Sequence, residues 1–132
     1  MINYRSTRGS KDAKTAAQAG IKGLAEDKGL FVPDAIPALP FKPEDMVGRP
    51  YKEIAKAIIA AFFTDYTDEE LQACVDGAYD SKFEAEDVVP VVKAGGAYFL
   101  ELYHGKTAAF KDMALSILPY LLTTAMKKEN EE

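Results

Sequence analysis

The chain has 132 residues, of which 48% are hydrophobic and 28% charged, a composition typical of a soluble globular domain or part of a larger protein. Its net charge is −5 and its longest basic run is Lys127-Lys128, so we expect no nucleic acid partner. No stretch has the roughly 18 apolar residues of a bilayer span, and the polar start lacks a secretory core, so we expect no membrane partner. One cysteine and one histidine exclude an internal disulfide and favour neither a structural zinc site nor any other metal site, and we expect a cytoplasmic protein.

The first third of the chain predicts short strands and one short helix. Residues 2–6 can form a strand, and Asp12 is placed to cap a helix that ends near Gly23. The apolar run at residues 29–32, closed by Pro33, predicts a buried strand.

Two amphipathic helices are predicted next. Apolar residues recur at helical spacing over residues 51–62, which gives one apolar face. Thr67-Asp68-Glu69-Glu70 is a capping box that begins a second helix, continued through residues 71–78. With the strands, these helices predict a small N-terminal α/β domain over residues 1–85, which ends in the polar stretch 80–87.

The remaining residues, 86–132, predict a hairpin and a helix. The runs VVPVV and AYFLELY favour β structure and flank residues 93–96, while Pro90 places the first run at a sheet edge or start. From Thr107 to about Lys128 the pattern is helical with a narrow polar stripe. A helix so apolar is usually covered on most sides, and little chain remains to cover it, which indicates part of a larger protein.

Two lysines in the segment YHGKTAAFKDMA suggest different chemistry. Gly105-Lys106-Thr107 matches the end of a phosphate-binding loop, but the first glycine of that motif would fall on Leu100, inside an apolar strand. A nucleotide-binding role for Lys106 is therefore a weak alternative.

Lys111 has a less ordinary environment. With Thr107 as the cap it would lie in the first turn of a helix, where the dipole disfavours a cation, and its neighbours are apolar. Both effects favour the neutral amine, which can attack a carbonyl and form a Schiff base, and the helix start can offer N–H groups to a phosphate. The alternative is a solvated lysine paired with Asp112 or Glu101, which is the commoner situation for a lysine.

Three segments carry a family resemblance. The stretch ELYHGKTAAFKDMA, residues 101–114, resembles the region around the cofactor lysine of threonine synthases, pyridoxal-phosphate enzymes whose fold resembles the tryptophan synthase β subunit. YRSTRG at residues 4–9 and GLAEDKGLFVP at residues 23–33 resemble the opening motifs of that family, in the expected order. The chain departs from the family at Lys106, where proline is usual, and at Lys28, where glycine is usual.

The resemblance implies an α/β enzyme, seen here as an α+β chain, in which residues 86–132 begin the pyridoxal-phosphate-dependent catalytic domain. It implies that Lys111 holds the cofactor through a Schiff base and then shuttles protons. The implied reaction converts O-phospho-L-homoserine and water into L-threonine and phosphate.

Members of this family are several times longer than this chain, so we expect an N-terminal portion that is inactive by itself. We expect His104 to orient the loop, meet substrate phosphate or form a structural hydrogen bond, and Asp112 to stabilise the helix start. The competing hypothesis is a non-catalytic domain that binds a partner or a second copy through its apolar C-terminal helix.

Overall fold

The computed structural model describes residues 1–130 and has an α+β architecture, which confirms the expected fold class. Strands β1 (Tyr4–Ser6), β2 (Ala13–Lys14) and β3 (Phe31–Pro33) form an antiparallel sheet in the order β2-β1-β3. The other elements are α1 (Ala16–Lys22), α2 (Tyr51–Phe62), α3 (Asp68–Ala78), β4 (Val91–Ala94), β5 (Ala97–Leu100), α4 (Asp112–Leu115) and α5 (Leu118–Glu129), with a 3-10 turn at Pro43–Met46.

The third strand forms as predicted but is not buried. In β3, Phe31 pairs with Ser6 and Pro33 with Tyr4, so the strand occupies an edge of the sheet. Leu30 is 61% exposed and Val32 is also exposed. The prediction of a buried strand was wrong because an apolar run alone does not distinguish a central strand from an edge strand.

The first helix begins three residues later than the sequence suggested. Its N-cap is Thr15, whose hydroxyl accepts a hydrogen bond from Gln18 N at 3.3 Å while Gln18 Oε1 accepts one from Thr15 N. Asp12 cannot serve as the cap because Ala13–Lys14 pairs with β1 as a strand. Gly23 ends the helix at φ 72°, as predicted.

A carboxylate joins the two N-terminal motifs. Asp27 accepts hydrogen bonds from Ser6 Oγ at 2.6 Å, Gly29 N at 3.0 Å and Ser10 N at 3.1 Å. A Cβ on Gly29 would lie 2.0 Å from Ser6 Oγ, so only glycine fits there. Lys28 adopts φ 62°, a left-handed conformation that glycine would occupy without strain.

The two amphipathic helices form where the sequence places them, and so does the hairpin, except that Lys93 and Ala94, placed in its connection, belong to β4 and residues 101–103 lie outside β5. Thr67 caps α3, with Thr67 Oγ1 accepting from Glu70 N at 3.2 Å and Glu70 Oε2 accepting from Thr67 N at 2.8 Å. Strands β4 and β5 pair antiparallel across Gly95-Gly96, both with positive φ, as a tight hairpin requires. Every residue of β4 and β5 is exposed.

The long C-terminal helix predicted from Thr107 is instead two helices, α4 and α5, separated at Ser116 and Ile117. Helix α5 begins at Leu118, and Pro119 lies in its first turn, where the backbone N–H that proline lacks would have no helical partner. No helix within residues 1–130 combines the length and apolarity that a membrane span needs.

The core combines side chains from both ends of the chain. Helix α5 packs on α1 and α3, so the cover that the sequence seemed to lack for this helix comes from the N-terminal helices. The division at residues 85 and 86 stays a prediction, but one cluster of buried side chains includes residues from both sides of it. Its members are Leu71, Cys74, Val75, Ala78, Tyr79, Phe83, Val88, Ile117 and Leu121.

Truncation of α5 at its buried face should therefore destabilise the whole chain. Leu121 is 8% exposed and Leu115 is 56% exposed. We expect Leu121→Ala to lower the free energy of unfolding by about 2–5 kcal/mol, since it leaves a cavity in the shared core. The control Leu115→Ala should stay within about 0.5 kcal/mol. Urea denaturation followed by circular dichroism measures both. A loss of unfolding free energy in Leu121→Ala as small as that in Leu115→Ala would show that α5 does not belong to the core.

Candidate functional site

Lys111 lies immediately before α4, at its N-cap position, in an αR conformation and exposed to solvent. It is therefore not within a first helical turn begun at Thr107. The apolar neighbours were expected to desolvate the Lys111 side chain, but among residues 1–130 they leave it exposed.

The Lys111 groove is an open apolar cavity of about 550 Å³ beside this residue. Apart from Lys111, its lining residues are all apolar or aromatic: Tyr51, Val89, Leu100, Leu102, Phe110, Met113, Ala114 and Leu115. Its volume lies within the range of small-ligand sites, roughly 300–1,000 Å³. The groove thus places Lys111 beside an apolar wall contributed by α2, the hairpin region and α4.

Both carboxylates suggested as partners of Lys111 have other partners. Glu101 Oε2 lies 2.7 Å from His104 Nε2, and this contact lowers the pKa of Glu101. Asp112 is hydrogen-bonded to Thr107. None of the ion pairs among residues 1–130 includes Lys111. Of the interpretations of His104, the structural hydrogen bond is the one with a visible partner.

The Thr107–Asp112 clamp is the pair of hydrogen bonds that closes the loop before α4. Thr107 Oγ1 donates to Asp112 Oδ1 at 2.6 Å, and Thr107 N donates to Asp112 Oδ2 at 2.8 Å. These donors lower the pKa of Asp112, the Thr107 hydroxyl first and the Thr107 N–H second. A Cβ on Gly105 would lie 2.5 Å from Asp112, so the glycine permits the close approach.

Further contacts connect this segment to the rest of the chain. Tyr79 Oη donates to Met113 O at 2.9 Å, and burial raises the pKa of Tyr79, which keeps the hydroxyl a donor. Glu84 N donates to His104 O at 3.0 Å. Sequence reasoning missed these contacts and the Thr107–Asp112 clamp. No local sequence pattern predicts a hydrogen bond between distant residues, or one between a threonine and an aspartate five positions further on.

The Gly105-Lys106-Thr107 segment does not form a phosphate-binding loop. Thr107 N, which such a loop would offer to a phosphate, donates to a carboxylate instead. Ala108 has φ 53°, and Ala108 N donates to Gly105 O, so these residues form a tight turn. This geometry counts against the nucleotide-binding alternative for Lys106.

Residues 3–79 match the family model described as threonine synthase N terminus. The chain belongs to this family. It is 35% identical to the threonine synthase of Eremothecium gossypii over 98% of this chain and 27% of that protein. It therefore spans about a quarter of the length of the curated relatives it matches.

Solved threonine synthases of this family share the chain's fold. PLP-bound threonine synthase from Brucella melitensis superposes with a TM-score of 0.88 at 31% identity, over 100% of this chain and 29% of that one. Threonine synthase from yeast gives a TM-score of 0.84 at 31% identity, over 97% of this chain and 27% of that one. These overlaps extend past residue 79, so the likeness includes the segment that holds Lys111.

The Thr107–Asp112 clamp predicts a pH-dependent contribution to stability. A carboxyl group whose pKa is lowered by folding stabilises the folded state above its ordinary pKa, here 3.8, and the contribution is lost as pH falls through the folded value. We expect the difference in unfolding free energy between the parent chain and Asp112→Asn to be largest above about pH 5 and to shrink towards about pH 2. Chemical denaturation across that range measures it. The contributions of the other carboxylates are the same in both proteins and cancel when the two unfolding free energies are subtracted. A difference that does not change with pH would contradict the Thr107–Asp112 clamp.

Proposed function

We propose that this chain supplies the N-terminal part of a threonine synthase and carries its cofactor-attachment lysine, Lys111. The reaction would be the conversion of O-phospho-L-homoserine and water into L-threonine and phosphate, with pyridoxal phosphate as cofactor. The observation that supports this most is an exposed amine, outside every ion pair of residues 1–130, at the edge of an apolar groove of ligand size. We also propose a cytoplasmic setting.

The donor set of the Lys111 groove fits part of this cofactor. An aldehyde requires an amine, and a pyridine ring requires an apolar or aromatic wall; Lys111 and the groove residues have both properties. The groove lining, drawn from the described residues, has Lys111 as its single cation. We therefore assign the aldehyde and ring contacts to this chain and no phosphate cradle.

The chain's own residues would contribute attachment, proton transfer and an apolar wall for the cofactor ring. When bound, pyridoxal phosphate supplies an electron sink that stabilises negative charge on substrate carbons. Lys111 Nζ would hold the cofactor and, once free, accept and return a proton as general base and acid. The groove beside it would supply an apolar wall for the cofactor ring.

Selective reaction of Lys111 with the cofactor is the first test of this assignment. The chain is incubated with pyridoxal phosphate, reduced with borohydride and digested, and the labelled peptides are mapped by mass spectrometry. We expect label concentrated on Lys111 because it forms no ion pair among residues 1–130 and lines an apolar groove.

Two variants control this experiment. Lys111→Ala should lose the selective label, whereas Lys106→Ala, which removes a lysine five positions away, should retain it. Label spread evenly over surface lysines in the parent chain would count against the assignment. Saturable ATP binding abolished by Lys106→Ala would favour the nucleotide alternative instead.

We also propose that residues 1–132 alone do not catalyse the reaction. The chain covers 27% of the Eremothecium relative, and the groove is open to solvent. Phosphate release from O-phospho-L-homoserine with added cofactor should match the background seen for Lys111→Ala. Sustained turnover above that background would contradict the proposal.

A second candidate is self-association through exposed apolar surface. Phe110, Leu115 and Leu118 are exposed near the groove, and so are Tyr98 and Leu100 of the hairpin. Contiguous apolar surface of this kind is common at protein interfaces. A chain that sediments as a concentration-dependent dimer and shows no selective Lys111 label would favour this candidate over the enzymatic one.

A further inference from the structure

Asp112 is an unusual residue for its position. It is 7% exposed, and of residues 1–130 only Ser6 and Asp112 are polar or charged and buried to this degree. Buried carboxylates ordinarily have a cationic partner, yet no lysine, arginine or histidine forms an ion pair with Asp112 among the described residues. Its two oxygens instead accept hydrogen bonds from the O–H and the N–H of Thr107.

The chemistry of this contact selects a carboxylate and a hydroxyl. Thr107 presents two donors, its N–H and its O–H, and Asp112 presents one acceptor oxygen to each. Asparagine would replace one acceptor with a donor and leave a mismatch. Serine in place of Thr107 would keep both donors, whereas valine would remove one at nearly the same volume.

The contact also decides where the helix begins. The sequence from Thr107 onward has a helical pattern, but Thr107 N is bonded to a side chain, and Ala108 adopts a left-handed φ of 53°. Strained backbone of this kind persists only where surrounding contacts hold it. The helix therefore starts at Asp112, and Lys111 lies just outside it, at the edge of the groove.

We propose that Thr107 and Asp112 are positioning residues that hold the Lys111 amine at the groove. This inference rests on the proposed function, in which Lys111 is the attachment lysine. Neither residue touches the cofactor or substrate in this assignment. They act by fixing the backbone on both sides of Lys111, with Gly105 allowing the carboxylate to approach.

The test measures the labelling ratio of Lys111 to Lys106 in the full chain treated with pyridoxal phosphate and borohydride. We expect Thr107→Val to lower this ratio about tenfold, the order expected for loss of one hydrogen bond to a charged group. Thr107→Ser should stay within about twofold of the parent because it restores the donor. Asp112→Asn is the second variant, used if Thr107→Val does not fold, and should also lower the ratio.

Thr67→Val is the matched control. It makes the same side-chain replacement at the start of α3, in a different part of the chain, where the Thr67 hydroxyl accepts a hydrogen bond from Glu70 N. It should destabilise the protein without changing the ratio. An unchanged ratio in folded Thr107→Val, or an equal fall in Thr67→Val, would overturn the inference while the proposed function stands. A parent chain without selective label at Lys111 would overturn both.

Discussion

The packing of α5 against α3 and α1 is the contact on which the rest of the structure depends. Leu71, Val75 and Ala78 on α3 share one cluster with Ile117 and Leu121, although more than 35 residues separate the two groups. Side chains buried this fully contribute the largest favourable term in folding. Tyr66 Oη adds a hydrogen bond to Leu121 O at 3.0 Å across the same interface. The segment that carries Lys111 is therefore held at its C-terminal end by the N-terminal helices.

The position of the Lys111 segment depends on that packing and on hydrogen bonds at both of its ends. Upstream, the loop after β5 is held by the Glu101–His104 pair and by Glu84 N bonding to His104 O. Downstream, Tyr79 Oη, which belongs to the core cluster, donates to Met113 O. Between these points Lys111 needs only local constraint. A small chain with an exposed hairpin can thus present one lysine in a defined place without enclosing it.

Features set by neighbouring residues were predictable from the sequence, and features set by distant contacts were not. The capping box at Thr67 and the Gly95-Gly96 turn were found because cap and turn chemistry is local. The buried-strand prediction at residues 29–32 was wrong because burial depends on neighbouring strands. The single helix from Thr107 was wrong because a side chain five residues on captures the Thr107 N–H. The hydrogen-bond partners of Glu101 and Asp112 could not be predicted from the sequence pattern either. Lys111 was identified as the candidate by the family resemblance and not by periodicity.

Native-state hydrogen exchange tests the central contact most directly, because it reports the opening free energy of each helix separately. If α5 is part of the core, its amides at Leu121–Ala125 should exchange with the same free energy as those of α3 at Leu71–Val75, equal to the global free energy of unfolding. The exposed hairpin should exchange through smaller openings. Exchange of α5 at the rates of an unfolded tail, with α3 still protected, would contradict the account.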